Sequence, residues 1–331
     1  MGAARLGTTD LETLLTAAAA APSIHNSQPW EIRPVPGTFR LEVRPAADRW
    51  LPAADPTGRA RLLSVGAALF NLRVAAGHLG RRPRVRLLPD AGDPGLVAVV
   101  DLTGLPPDTS RQPDLYEAVA LRRTSRAPFT GRPVPARTLT ELASAVLTEG
   151  ARLYLPGVVA TRRMLALTAE AERRNRRDSA RVRESRAWVH AGNLPYGIPA
   201  AALGPLDATG RIPVRDFTGA GRARRAPAVP FERHAQLALV VTRRDRPADW
   251  LRAGQALQRV LLLATARGLR TCPLHQALEW PDLRSALGGE SNRPQFLFRL
   301  GYGPQGAPTP RAALTAGAPA RGTQDTTQAY F

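Results

Sequence analysis

The chain has 331 residues, a formal charge of +19, 46 arginines, no lysine and one cysteine, Cys272. Without lysine there is no Schiff-base amine and no P-loop phosphate lysine; a single cysteine excludes an intrachain disulfide, a thiolate zinc site and a redox pair, and suits a reducing cytoplasm. Hydrophobic residues at 44% can bury one large domain or two ordinary ones, whereas arginines spread through an Ala-, Pro- and Gly-rich chain with 5% aromatics read as compositional bias, not as a nucleic-acid surface.

Leucines at Leu11, Leu14 and Leu15 behind a Thr/Asp cap predict an amphipathic helix over Thr9 to Ala21, stopped by Pro22. Asp10 and Glu12 stand where a signal peptide needs positive charge, and no apolar run approaches the roughly 20 residues of a membrane helix, so a cytoplasmic protein without membrane contact is expected. Strands are expected at Phe39 to Val43 and Leu96 to Leu102, with a helix from Arg59 to Leu79 ended by Gly80 between them. A Pro-rich connector, Leu105 to Pro113, precedes helices at Leu115 to Arg123 and Leu139 to Leu147 and an Arg-rich helix at about Arg162 to Val189. Gly192 to Pro230 is Gly/Pro-rich and too long for an ordinary connection, so it reads as a lid, an insertion or disorder. A strand at Leu237 to Val241, a helix at Ala248 to Arg267 and a strand at Phe296 to Leu300 close the chain.

Gly66-Ala-Ala68-Leu69 through Ala76 to Gly80 recurs as Gly254-Gln-Ala256-Leu257 through Ala264 to Gly268, at a constant offset of 254 − 66 = 188. Alanine-rich helix chemistry alone can produce such a match. The recurrence of Leu11-Glu-Thr-Leu14 as Leu139-Thr-Glu-Leu142 adds weight to a duplication.

Three strings stand out as chemistry. Ala21-Pro-Ser-Ile-His-Asn-Ser-Gln-Pro-Trp30 breaks a helix and packs polar side chains before an aromatic; a helix exit explains Pro22 and Ser23 but not Asn26, Gln28 and Trp30 together, and such a turn suits the rim and face of a flat heterocycle. Leu121-Arg-Arg-Thr-Ser-Arg126-Ala-Pro-Phe129 offers guanidinium groups and a hydroxyl to a phosphate, although in so arginine-rich a chain a solvated basic face is the better explanation of this string taken alone. Gly268-Leu-Arg-Thr-Cys-Pro-Leu-His-Gln276 begins as a helix cap; Cys272 has no evident base partner, and the histidines show no metal-ligand spacing.

Together these strings resemble the nitroreductase family of FMN flavoproteins: Ala21 to Trp30 its PSxxNxQPW signature, Arg122 to Phe129 its RxSxR motif, Gly268 to Gln276 its GLxxxP segment, and Leu300-Gly-Tyr302 its closing strand end. The order is inverted, since the turn precedes the arginine motif by about a hundred residues. That inversion is similar to the tandem, Acg-like branch. The resemblance implies an α+β nitroreductase-like fold of antiparallel sheets flanked by helices, in two tandem halves, 1–110 and 111–331, the second with a lid-like insertion at about 160–230. It further implies a monomeric pseudo-dimer with one complete and one degenerate flavin site.

Residue by residue, the resemblance assigns Arg122, Thr124 and Arg126, with Arg311, to the FMN phosphate. Pro22, Ser23, Ile24 and Asn26 would line the isoalloxazine from one side and Pro273, Leu274 and His275 from the other, with the main-chain N–H near His275 facing N5. Arg243 would be the cation beside the pyrimidine ring, and Gln28 and Trp30 are expected to pack. The implied activity is transfer from NADPH or NADH through flavin to a small molecule, a nitroaromatic, quinone or activated alkene, with no catalytic metal and no strong acid or base. The competing reading is a flavin-sequestering or storage protein with a closed site.

Overall fold

The structure is a computed structural model describing residues 6–104, 114–192, 194–218, 227–288 and 292–314; the expected connector Leu105 to Pro113, the half boundary at 110 and the basic run Arg222 to Arg225 lie outside these residues. The first helix, α1 (Thr8–Ala19), buries Leu14 and Leu15 and ends short of Pro22, which cannot continue it. After a single 3-10 turn the chain forms β1 (Trp30–Pro34), β2 (Arg40–Pro45), α2 (Arg59–His78), β3 (Arg82–Leu87) and β4 (Ala98–Gly104). Gly80, at φ +69, turns the chain out of α2 in the left-handed region where glycine carries no steric penalty. The four strands make an antiparallel sheet in the order β1-β2-β4-β3.

α3 (Tyr116–Leu121), α4 (Ala136–Leu147) and β5 (Arg152–Tyr154) follow. The Arg-rich stretch expected as one helix is two, α5 (Val158–Arg177) and α6 (Ser179–Ala187), because Asp178 starts a new one: its carboxylate accepts from Ala180 N at 2.9 Å and Arg181 N at 3.1 Å. The long stretch beyond holds two small parallel ribbons, β6 (Val189–His190) with β7 (Ile198–Pro199) and β8 (Leu206–Asp207) with β9 (Ala228–Val229). β10 (Gln236–Thr242), α7 (Pro247–Ala266), β11 (Arg270–Pro273), α8 (Pro281–Gly288) and β12 (Arg293–Gly301) complete the described elements, and the second sheet runs β11-β12-β10-β5.

Both sheets have the same plan. Started from the strand that follows α1 or α4, the orders are β1-β2-β4-β3 and β5-β10-β12-β11, all antiparallel, with α2 and α7 each following the second of these strands in the chain. The difference lies in one connection: five residues, 35–39, join β1 to β2, whereas 155–235 separates β5 from β10. β10 is buried on both faces. Ala238 and Val240 join the main core around α2 and α7, while Leu237, Leu239 and Val241 face a second cluster with Met164, Ile212 and Phe231 from the inserted stretch.

α2 and α7 cross at the glycines of the sequence repeat. A Cβ on Gly66 would meet Leu251 O and lie 2.9 Å from Gly254 Cα; a Cβ on Gly254 would meet Leu63 O and lie 2.9 Å from Gly66 Cα. Residue i therefore touches j as j touches i, the pattern of a two-fold contact. Near this crossing Gln258 Nε2 donates to Asn71 Oδ1 at 2.7 Å, and Asn71 Nδ2 donates to Ala17 O at 2.7 Å, so both ends of the Asn71 amide are matched inside the helix pair. Among the described residues no helix is long and apolar enough to cross a membrane.

Candidate functional site

One cleft gathers most of the residues singled out in the sequence. Pro22, Ser23, Ile24 and Asn26 line one side, Arg122, Thr124, Arg126 and Arg311 one end, and Pro273, Leu274 and His275 the floor. The turn between α1 and β1 is held in an unusual shape. His25, Asn26 and Gln28 have φ of 47°, 56° and 50°, a left-handed backbone that costs a non-glycine residue on the order of 1 kcal/mol each and persists only where neighbours over-determine it. Those neighbours are present. Ser23 Oγ accepts from Gln28 N at 2.9 Å and Ser64 Oγ, on α2, accepts from Ile24 N at 3.2 Å. Asn26 Nδ2 donates to Gly197 O at 2.7 Å and Pro310 O at 3.0 Å, Gln28 Nε2 donates to Pro195 O at 2.6 Å, and Gln28 Oε1 accepts from Ala312 N at 2.9 Å. The amides of the turn thus fasten it to the inserted stretch and to the C-terminal segment. Gln28 and Trp30 are buried outside the cleft, as packing residues.

α3 stops at Leu121, and Arg122 leaves it with an extended backbone. The next residues pair with β11: Thr124 bridges Thr271, and Ser125 N donates to Thr271 O at 3.0 Å. Gly306 lies so close that a Cβ there would strike Thr124 O, which brings Thr309 and Arg311 to the same end of the cleft. Arg122 is 4% exposed, and burial together with the Arg311 and Arg123 charges pushes its pKa down to about 9. Arg311 is likewise pushed down to about 10 by burial and by Arg123. The Nε atoms of Arg122 and Arg311 have no partner, and among the described residues no carboxylate pairs with Arg122, Arg123 or Arg311. A buried cluster of guanidinium groups without an anion is an unfilled demand for one.

Arg126 stands apart from that cluster. Its Nη1 donates to Ala202 O at 2.8 Å and its guanidinium lies 5.7 Å from the Phe217 ring, so it faces the inserted stretch, whereas Arg123 supplies the charge next to Arg122 and Arg311. Arg243 is not in the cleft at all. β10 ends at Thr242, and Arg243 begins an exposed turn leading to α7, so the expectation of a cation there is corrected. Further cations that line the cleft, outside the arginine string and the C-terminal segment, are Arg215 and Arg299. They were illegible as single members of an arginine-rich composition; His25 and Arg123, also in the cleft, lay inside strings already singled out.

The floor is set by β11, whose strand carries Cys272 and Pro273 to the cleft, and His275 begins a 3-10 turn at its end. Burial and neighbouring guanidinium groups, Arg59 foremost, hold the His275 ring neutral, with its pKa well below the ordinary histidine value; burial and Arg215 do the same to His25. Over the cleft lies the inserted stretch, through Ile198, Ile212, Val214, Arg215 and Phe217. It is tied down by Arg215 to Glu279, by Asp216 N to Glu172 Oε1 at 2.8 Å and by Gln276 Nε2 to Pro213 O at 3.0 Å. The described residues contain no His, Cys, Asp and Glu cluster fit for a metal. Among the described residues the cleft sets clustered guanidinium groups beside apolar walls, an arrangement that suits an anionic, flat, partly apolar molecule.

Residues 119–302 match the model of the nitroreductase family. The chain is similar to two proteins of Mycobacterium tuberculosis strain H37Rv. One, named "Putative NAD(P)H nitroreductase Rv3131", is 36% identical over 92% of this chain and 90% of its own. The other, "Putative NAD(P)H nitroreductase acg", is 32% identical over 90% and 91%. Among solved structures it is similar to the FMN and NADPH-dependent nitroreductase NfnB from Sphigopyxis sp. strain HMH, at 20% identity and a TM-score of 0.40 over 60% of this chain and 95% of that one. The chain belongs to the nitroreductase family.

Proposed function

We propose that the cleft binds FMN and that the protein is an FMN-dependent oxidoreductase. The observation that carries this reading is the patch of buried Arg122 with half-buried Arg123 and Arg311, without a carboxylate partner among the described residues, at one end of a cleft whose other walls are a strained amide-rich turn and an apolar floor. The residues fit the cofactor: the patch suits its phosphate, Pro22 to Asn26 and Pro273 to His275 suit the two sides of its ring system, and Arg215 stands among the further cations of the cleft. Bound there, FMN supplies two-electron chemistry, accepting hydride from NADPH or NADH and delivering it to a nitroaromatic, quinone or activated alkene. The protein's part is to bind and orient, to exclude water with the inserted stretch, and to keep cations fixed near the ring.

The test is an FMN titration read by fluorescence quenching. Arg122→Ala with Arg311→Ala abolishes retention, while Arg174→Ala with Arg177→Ala, on the exposed face of α5, leaves it intact. Equal loss in both, or no flavin absorbance in wild type after incubation with FMN, refutes the reading.

A second reading is favoured by the bonds that fasten 212–218 over the cleft: a flavin-sequestering protein that does not turn over. Anaerobic mixing separates the two. Flavin bleached by NADPH or NADH supports the oxidoreductase; flavin that stays oxidised with both donors yet is bleached by dithionite supports sequestration.

The repeated sheet plan and the reciprocal Gly66 and Gly254 contact support tandem halves at 1–110 and 111–331, joined as a pseudo-dimer that works as a monomer in the cytoplasm on a small-molecule substrate. A solution mass of 35.6 kDa is expected by light scattering, and twice that value contradicts the monomer.

A further inference from the structure

Arg59 opens α2, a position normally bathed in solvent, yet it is 4% exposed and points inward. Its Nη1 donates to Gln295 O at 2.7 Å, and its Nη2 donates to Leu278 O at 3.0 Å and lies 3.2 Å from His275 Nε2. A guanidinium has five donors and no acceptor, so the imidazole nitrogen facing it must offer its lone pair. His275 is also neutral, since burial and the Arg59, Arg215 and Arg284 charges all disfavour the imidazolium. One proton remains on the ring, and it must sit on Nδ1. That atom is buried and has no partner among the described residues, on a residue that lines the cleft while Arg59 does not.

The groups around the ring leave Nδ1 no other acceptor: Arg59 comes from α2, Arg215 from the inserted stretch, Arg284 from α8, the Phe296 ring from β12 at 5.1 Å, and the neutral His25 from the turn. A buried N–H without an acceptor is costly, and an acceptor on a ligand in the cleft relieves that cost. We propose that Arg59 is a positioning residue that fixes His275 in the Nδ1–H form, and that this N–H donates to an uncharged acceptor, a ring nitrogen or carbonyl oxygen, of the heterocycle bound in the cleft. The inference rests on the FMN reading and adds to it a side-chain donor at the ring, separate from the phosphate patch and from any main-chain contact. Because the donor is neutral and its partner uncharged, the contact survives wherever the ring stays neutral.

The experiment is long-range proton–nitrogen NMR on full-length protein labelled with 15N-histidine, with His275→Asn supplying the assignment. Flavin-free wild type is recorded first and is expected to show a neutral His275 protonated on Nδ1; Arg59→Met shifts the ring to a tautomer mixture. Adding FMN moves the Nδ1 signal. His275→Leu weakens FMN binding by about tenfold. His275→Asn, whose amide nitrogen falls near the place of Nδ1, restores most of that loss, and a merely structural role for the ring predicts no such rescue. An Nε2-protonated ring in flavin-free wild type overturns the positioning role of Arg59. FMN that binds without moving the Nδ1 signal, or as tightly to His275→Leu as to wild type, overturns the donor role. A protein that takes up no FMN removes the function proposed above and the donor role with it, and is recognised as that failure because the tautomer has been read before flavin is added.

Discussion

Replacing Arg122 by methionine tests whether the arginine patch is built for a ligand or for the fold, because the two roles predict opposite signs. Lowering of the Arg122 pKa from the ordinary guanidinium range to about 9 corresponds to a charged form disfavoured in the folded protein by roughly 4 to 5 kcal/mol. The group is cationic and its folded pKa is depressed, so this penalty is present in full at pH 7, below both values, and fades only as the pH rises above about 9. Arg122→Met keeps most of the buried stem and removes the charge and the unpartnered Nε, losing one long bond of 3.3 Å to Ala20 O. Relaxation and imperfect packing take back part of the gain, leaving a net stabilisation of about 1–3 kcal/mol. For a chain of this length an unfolding entropy of roughly 0.7 kcal/mol/K converts that to a rise of about 2–4 °C in Tm of the flavin-free protein. With saturating FMN the order reverses, since wild type gains the linkage term and the variant does not. Differential scanning calorimetry with and without FMN measures both. A variant that melts lower without flavin, and whose Tm still rises with it, shows that Arg122 serves the fold and refutes the argument.

Gly254→Ala drives a Cβ into Leu63 O and against Gly66 Cα, both backbone, so α2 and α7 must separate; a loss of about 3 kcal/mol, or roughly 4 °C in Tm, is expected by calorimetry. Glu149→Ala strips the acceptor from Arg73 and Arg259 and costs about 2 kcal/mol in denaturant melts, with one FMN per chain before and after. Burial raises the Glu172 pKa, so its charge is a penalty above that value and is relieved as the pH falls; Glu172→Gln raises Tm at pH 7, and the gain disappears in melts near pH 4. Arg243→Ala leaves the FMN dissociation constant unchanged, and a weakening beyond about twofold shows that the exposed side chain reaches the cofactor.

The legible parts of the fold were those with strong local signals. α2 and α7 announced themselves through long apolar periodicity ended by glycine, and β10 and β12 through continuous apolar runs buried on both faces. β3 did not, because on an edge strand Arg82, Arg84 and Arg86 alternate with half-buried residues and resemble a basic loop. β5 is three residues long, too short for a pattern, and exists only through pairing with β10. The break at Asp178 was readable in principle as a cap residue before a helix. In the cleft, residues inside contiguous strings were placed together, while Arg215 and Arg299, and Arg59 behind His275, were not. Each reaches the site through a tertiary contact, and in a chain whose every cation is arginine the residue type carries no information about burial. Arg243 failed for the converse reason: nearness in sequence to a core strand says nothing about the direction in which the chain leaves it.

The proposed duplication accounts for where the complete site is and where it is not. Carried along the 188-residue offset, Ser64 and Ala67 of the cleft fall on Arg252 and Gln255, and Thr271, Pro273 and His275 fall on Pro83, Val85 and Leu87. The residues Pro83, Val85, Leu87, Arg252 and Gln255 do line a second, open groove, together with Thr148, Glu149 and Gly150 after α4 and with Arg73 from α2. The two grooves differ in their anion. In the first, the guanidinium patch pairs with no carboxylate among the described residues; in the second, buried Glu149 accepts from Arg73 Nη1 and from Arg259 Nε at 2.8 Å, so the cations are already satisfied from within. Arg252 replaces the small Ser64 hydroxyl that props the strained turn, and after α4 the chain runs directly into β5 without such a turn. Only the second half carries the arginine motif, the C-terminal segment and the long insertion, and all three converge on the cleft whose turn comes from the first half. If the chain is such a duplication, each half supplies what the other lacks, and the proposed site needs both.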